Sequence, residues 1–104
     1  MNNTTANLEA MQEHAKEAAQ LLRSMSNESR LMVLCSLIQG ELSVSELNER
    51  VPLSQSALSQ HLASLREAGL VSTRRESQAI YYRLDGDDAV KVIEVLHSIF
   101  CPDL

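Results

Sequence analysis

Tryptophan is absent, phenylalanine occurs once and tyrosine only twice. Tyr81 and Tyr82 alternate across one extended run, which sends only one of them to the core side, so the chain has no aromatic platform for stacking bases. No apolar run approaches the roughly 20 residues of a membrane span. The opening MNNTTANLEAMQEHAKE has neither the basic start nor the apolar stretch of a secretion signal, so a cytoplasmic protein without membrane contact is expected. The two cysteines, Cys35 and Cys101, stand too far apart for a zinc knuckle or a C-x-x-C redox motif. In a reducing compartment they rest as thiols, and any disulfide between them is conditional. A Gly-rich phosphate loop, a nucleophile–base pair in a supporting motif and a paired-carboxylate pocket are all missing, which argues against an enzyme. Internal repeats and low-complexity linkers are missing too. With 104 residues, 44% of them hydrophobic, the chain reads as one domain, 1–104, able to bury a modest core.

Basic residues are scarce: nine Lys and Arg face fourteen Asp and Glu, a net charge of −5. Affinity for nucleic acid comes largely from displacing counterions with Lys and Arg, so this balance speaks at first against such a partner. The distribution reverses that conclusion. Residues 53–84 hold four Arg against two Glu, whereas both flanking segments are acidic, a polarity that repels DNA from misoriented encounters and favours one docking face.

The positive segment contains the most informative stretch of the chain, SQSALSQHLASLREAG from Ser54 to Gly69. Ser54 can cap a helix start and Gly69 is a left-handed stop. At helical spacing Ala57, Leu58, His61, Leu62 and Leu65 fall on one side, and Gln55, Ser56, Ser59, Gln60, Ala63 and Arg66 on the other. An ordinary solvated helix face is rich in Glu and Lys. This one offers small hydroxyls and amides, which donate and accept together and allow the close approach needed to read base edges in a major groove. His61, on the apolar side, is expected to be a buried and hydrogen-bonded histidine.

The remaining pattern builds a mount for that helix. Leu8, Met11, Ala15, Ala18, Ala19, Leu22 and Met25 make an apolar stripe on a first helix of about 6–25. Asn27 caps a second helix carrying RLMVLCSLIQ to Gly40, whose wide apolar stripe puts Cys35 in or near the core. Ser43-Val44-Ser45-Glu46 is a capping box for a short third helix ended by Pro52, so about 43–68 is a helix-turn-helix with its second helix as reader. Two β-type runs within about 70–84 surround a polar tip, Arg74 to Gln78, and form a hairpin. The last helix, about 86–100, is apolar over more than half its circumference, more than one core can use. Together these features predict a mainly α fold with a β-hairpin wing, a dimeric winged helix-turn-helix paired through its first and last helices.

The stretches MSNESRLMVLCSL, ELSVSELNERVPLSQSALSQHLASLREAGLV and RRESQAIYYRL resemble the ArsR/SmtB family of bacterial winged-helix regulators over nearly the whole chain. The resemblance implies a homodimer that sits on an inverted-repeat operator in double-stranded DNA and lets go when an inducer binds. The family's arsenic sensors carry E-L-C-V-C-D-L in the third helix. Here Ser43 and Ser45 take the thiolate positions of Glu41–Leu47, and hydroxyls are poor ligands for soft metals. In the last helix Glu94 and His97 imitate half of a zinc site, but Asp85, Asp87 and Asp88 are joined by no second His. Neither metal nor cofactor is therefore expected. Cys35 and Cys101, in L-C-S-L and S-I-F-C contexts, resemble the dithiol subgroup of BigR, SqrR and HlyU type, which implies reactive sulfur species or oxidants as inducer.

The expected DNA contacts are Gln55, Ser56, Ser59 and Gln60 on base edges and nearby phosphates, with Arg66, Arg74 and Arg75 on the backbone or in the minor groove. The expected redox switch is Cys35 with Cys101. Three other readings stay open: a metal-independent anti-silencer without redox switching, a winged-helix module that binds another protein, and a thiol oxidoreductase. The last lacks the C-x-x-C helix start that lowers a thiol pKa.

Overall fold

Asn27 adopts extended backbone, and its side-chain oxygen accepts from the amides of Ser29 and Arg30 at 2.9 and 3.1 Å. This cap separates α1 (Thr4–Met25) from α2 (Glu28–Ser36) in the computed structural model, which describes residues 4–102. A two-residue strand β1 (Leu42–Ser43) leads into α3 (Val44–Arg50), followed by α4 (Gln55–Glu67), β2 (Val71–Glu76), β3 (Ala79–Leu84) and α5 (Asp88–Phe100). The part of the first-helix expectation that lay within 6–25 is met, and α1 begins two residues earlier.

Local chemistry explains the boundaries around the reader helix. Ser43 Oγ accepts from the Glu46 amide at 3.1 Å while Glu46 accepts from the Ser43 amide at 2.8 Å, so both halves of the capping box are formed. The Ser54 hydroxyl accepts from the Ala57 amide at 3.2 Å and opens α4. At its other end the Leu70 amide reaches Leu65 O and the Gly69 amide reaches Arg66 O, both at 3.0 Å, with Gly69 at φ +78°. That is the paired closure of a Schellman stop, and it needs a residue without a Cβ at the left-handed position.

Leu58, Leu62 and Leu65 of α4 are fully buried against Val33, Leu34 and Leu37 of the α2 segment and Leu47 of α3. Burying each such side chain contributes about 1.5–3 kcal/mol, which fixes the rotation of α4 about its axis. Ala89 and Ile93 of α5 complete the core.

Five details differ from the sequence expectation. The second helix stops at Ser36 instead of continuing to Gly40, because the Leu37, Ile38 and Gly40 amides turn back on carbonyls three and four residues earlier and tighten the chain. Cys35 is exposed, not core. Val33, Leu34 and Leu37 occupy the covered side of that segment, so Met32, Cys35 and Ile38, about one turn apart, share the uncovered side. The wing is a three-stranded antiparallel sheet of order β1-β3-β2, since Leu42 and Ser43 pair with Tyr82 and Tyr81. Arg74 and Arg75 lie within β2, opposite Tyr81 and Ile80, and the tip is only Ser77-Gln78, with Ser77 at φ +60°. α5 starts two residues later than expected, and Asp87 makes no side-chain cap.

Candidate DNA-binding face and dithiol pair

The outward residues of α4 are placed as its periodicity requires. Gln55, Ser56, Ser59, Gln60, Ala63 and Arg66 are all exposed, while Ala57 and His61 are half-buried beside the three core leucines. The reader face is thus a continuous strip of amide and hydroxyl groups, with one cation in the last turn. A groove of about 470 Å³ runs between this strip and the wing, bordered by Gln55 and Ser59 on one side and Tyr81 and Tyr82 on the other.

Strand register separates the two neighbouring arginines of the wing. Val71, Thr73 and Arg75 pair with Leu84, Tyr82 and Ile80 on the face that packs towards the core, so exposed Arg75 extends that face beyond α4. Arg74 points the other way. Its Nε donates to Glu41 Oε1 and Oε2 at 2.8 and 3.1 Å, Nη2 donates to Glu41 Oε1, and Nη1 donates to Glu76 at 3.0 Å. The guanidinium carbon also stands 4.6 Å from the centroid of the Tyr81 ring. Hydrogen bonding from Arg74, aided by the charges of Arg74 and Arg83, holds the Glu41 carboxyl below its ordinary value of 4.5. Glu41 therefore contributes through this ion pair at every pH above that value, and the contribution is lost only as acid takes the pH down through the lowered pKa.

Two contributors had no sequence signal. Arg30, on α2, donates from Nε to His61 Nδ1 at 3.2 Å and from Nη1 to the Ser24 carbonyl at 3.1 Å, joining the end of α1 to the inner side of the reader helix. Glu41 stands out in sequence only as the start of the Glu41–Leu47 stretch, and its partner Arg74 lies 33 positions away.

The dithiol pair lies away from the wing, between the α2 turn and the end of α5. Cys35 lines a cleft of about 510 Å³ with Arg50, Glu94 and His97. Cys101 is half-buried just after α5, its amide bonded to His97 O at 2.8 Å. Both are free thiols. Although Cys35 is exposed, partial desolvation in this cleft first, and then the charge of Cys101, push its thiol above its ordinary value of 9.0. Among the described residues no group of three or more His, Cys, Asp or Glu is arranged to hold a metal ion, and the Ser43 hydroxyl is engaged in its cap.

A helix-turn-helix with an uncharged polar reader strip, followed by an antiparallel wing, defines a winged-helix DNA-binding protein. Comparison with known proteins narrows the class. The profile of the bacterial regulatory protein, arsR family, matches residues 27–73, from the α2 cap into the wing. The chain is 50% identical over 95 residues to the transcriptional activator HlyU of Vibrio cholerae, covering 91% of this chain and 88% of that protein. It is also 50% identical over 94 residues to the biofilm growth-associated repressor of Agrobacterium fabrum, covering 90% and 80%. The solved structure of reduced HlyU from Vibrio cholerae is similar with a TM-score of 0.85 at 50% identity, covering 88% of this chain and 97% of that one. The chain belongs to the ArsR family, as its motifs implied, and is a transcriptional regulator rather than an enzyme.

Proposed function

We propose that two copies of this chain bind an inverted-repeat operator when Cys35 and Cys101 are reduced, and release it when the two thiols are linked. The exposed reader strip supports the DNA half of this reading: Gln55, Ser56, Ser59 and Gln60 meet base edges and adjacent phosphates, while Arg66 and Arg75 neutralise backbone. The protein works in the cytoplasm, where its DNA is; none of the described helices is long and apolar enough to cross a membrane. The similar proteins include one named a transcriptional activator and one named a repressor.

The observation that carries the switch is the placement of two free thiols on different elements around His97: Cys35 of the α2 segment lines a cleft with His97, and the Cys101 amide donates to His97 O at 2.8 Å. One similar solved structure is of HlyU from Vibrio cholerae in its reduced form. A peroxide would take two electrons and two protons from the pair, giving a disulfide and water. A persulfide R–S–SH would transfer its terminal sulfur to Cys101, releasing R–SH, and Cys35 would then displace that sulfur as hydrogen sulfide to close the disulfide. A bridge retaining extra sulfur atoms would relax the roughly 7 Å limit on the Cα separation. Linking the α2 segment to the end of α5 would tie the core to the dimer layer, and a coupling of about 1–3 kcal/mol gives a 5–150-fold loss of operator affinity.

Cys35→Ser and Cys101→Ser proteins are expected to bind operator as the parent does under reductant and to stay bound after persulfide treatment. Release by Cys101→Ser, with no intramolecular bridge detected by mass spectrometry, would remove the two-cysteine switch and leave the DNA-binding reading standing.

A further inference from the structure

Arg74 is the most heavily engaged side chain on the wing, and its partners span the whole sheet. Glu41 immediately precedes β1 at one edge, Tyr81 sits on the central strand β3, and Arg74 itself is on the other edge strand, β2. The guanidinium crosses the Tyr81 ring to reach both oxygens of Glu41, and Glu76 holds its remaining nitrogen. The Glu41 end is anchored in turn. Leu42 and Ser43 follow directly, and Ser43 is the cap of α3, the first helix of the helix-turn-helix.

We propose that Arg74 is a wing-positioning residue: with Glu41 it forms a strap over the outer face of the sheet that sets the wing's angle to the helix-turn-helix, and the wing's phosphate contact falls to Arg75. This assignment rests on the DNA-binding reading above. Arg75 lies on the sheet face shared with Thr73 and Tyr82, and Tyr82 borders α4 beside Ala63 and Arg66, so Arg75 and the reader strip can meet one duplex together. Arg74, one residue earlier, must face away from that side. Its charge is already matched by two carboxylates, so a phosphate would have to displace Glu41 and Glu76 to gain it. The two-pronged contact with Glu41 also demands the planar fork of arginine, which a lysine does not supply.

The test compares operator affinity against salt concentration for the parent, Arg74→Ala, Arg74→Lys, Glu41→Gln and Arg75→Ala, with hydrogen exchange of the sheet amides measured on the same proteins without DNA. Arg75→Ala should flatten the salt slope by about 0.9 for each phosphate that is no longer neutralised, or about 1.8 for a two-fold dimer. All three strap variants should weaken binding about twofold to fivefold, the modest size of an exposed ion pair, with the parent's salt slope kept and with faster exchange at the β1–β3 pairing. Arg74→Lys matching the parent while Arg74→Ala flattens the slope would make Arg74 a phosphate contact and overturn the assignment. Tighter binding by Glu41→Gln would overturn it equally, because it would show a restrained cation set free. If the parent shows no salt-dependent binding to operator or random duplex, the DNA-binding reading fails instead, and the exchange data still report whether the strap exists.

Discussion

At the scale of single residues, Cys35 is controlled by its surroundings more than by its identity. Desolvation, and to a smaller degree the neighbouring Cys101, favour the neutral thiol, so less of Cys35 is thiolate at neutral pH than of a free cysteine. Alkylation of Cys35 by iodoacetamide, followed by mass spectrometry, should be slower than that of a free cysteine at pH 7 and should climb steeply as the pH is raised past 9.0. Equal rates for Cys35 and free cysteine at pH 7 would contradict this picture. Arg74 and Arg75 carry the same lesson. They read alike as a basic pair, but adjacent residues on a strand face opposite ways, and only the pairing with Tyr81 and Ile80 says which way is which.

At the scale of elements, α4 was legible almost in full. Its Ser54 cap, Gly69 stop and two-sided pattern are local properties, and each appears where the sequence placed it, within the usual spread of helix ends. The exposed strip has one sharp consequence. Gln60→Ala is expected to lose about 1–3 kcal/mol of discrimination between operator and random DNA while leaving the stability of the fold within about 0.5 kcal/mol, since the side chain is exposed. Titration of both duplexes with the variant checks this; an unchanged specificity ratio would take Gln60 off the base edges. The wing was less legible. Two residues of β1 carry too little pattern to announce a strand, and they become one only because β3 presents a free edge to them.

At the scale of the whole molecule, the chain is longer than one compact unit of its size. The radius of gyration is 16.5 Å and the extents are 59 × 33 × 21 Å, against about 13 Å for a compact domain of about 100 residues. The excess lies in α1 and α5, which leave Leu8 and Met11, and Val95, Ile99 and Phe100, more than half exposed. A second copy is the partner that the proposed two-fold operator calls for. Ile99→Glu, at a site 61% exposed in the single chain, should therefore leave the monomer folded, shift sedimentation to the monomer and weaken operator binding by about 100-fold or more as the two half-sites cease to act together. A variant that sediments and binds as the parent does would place the interface elsewhere.

The sequence by itself determined the helices, their caps, the reader strip and the family, because periodicity, capping and turn chemistry act over a few neighbouring residues. It also placed Cys35 and Cys101 on the α2 segment and just beyond α5. Only the tertiary structure decided that Cys35 is exposed, since a stripe broad enough to be covered all round is covered on one side alone when this chain supplies no element for the other. The same holds for the Arg30–His61 link, 31 positions apart, and the Glu41–Arg74 strap, 33 apart. Such pairs depend on how sheet order and helix packing bring distant segments together, and no local pattern encodes a contact whose two halves meet only after the chain has folded.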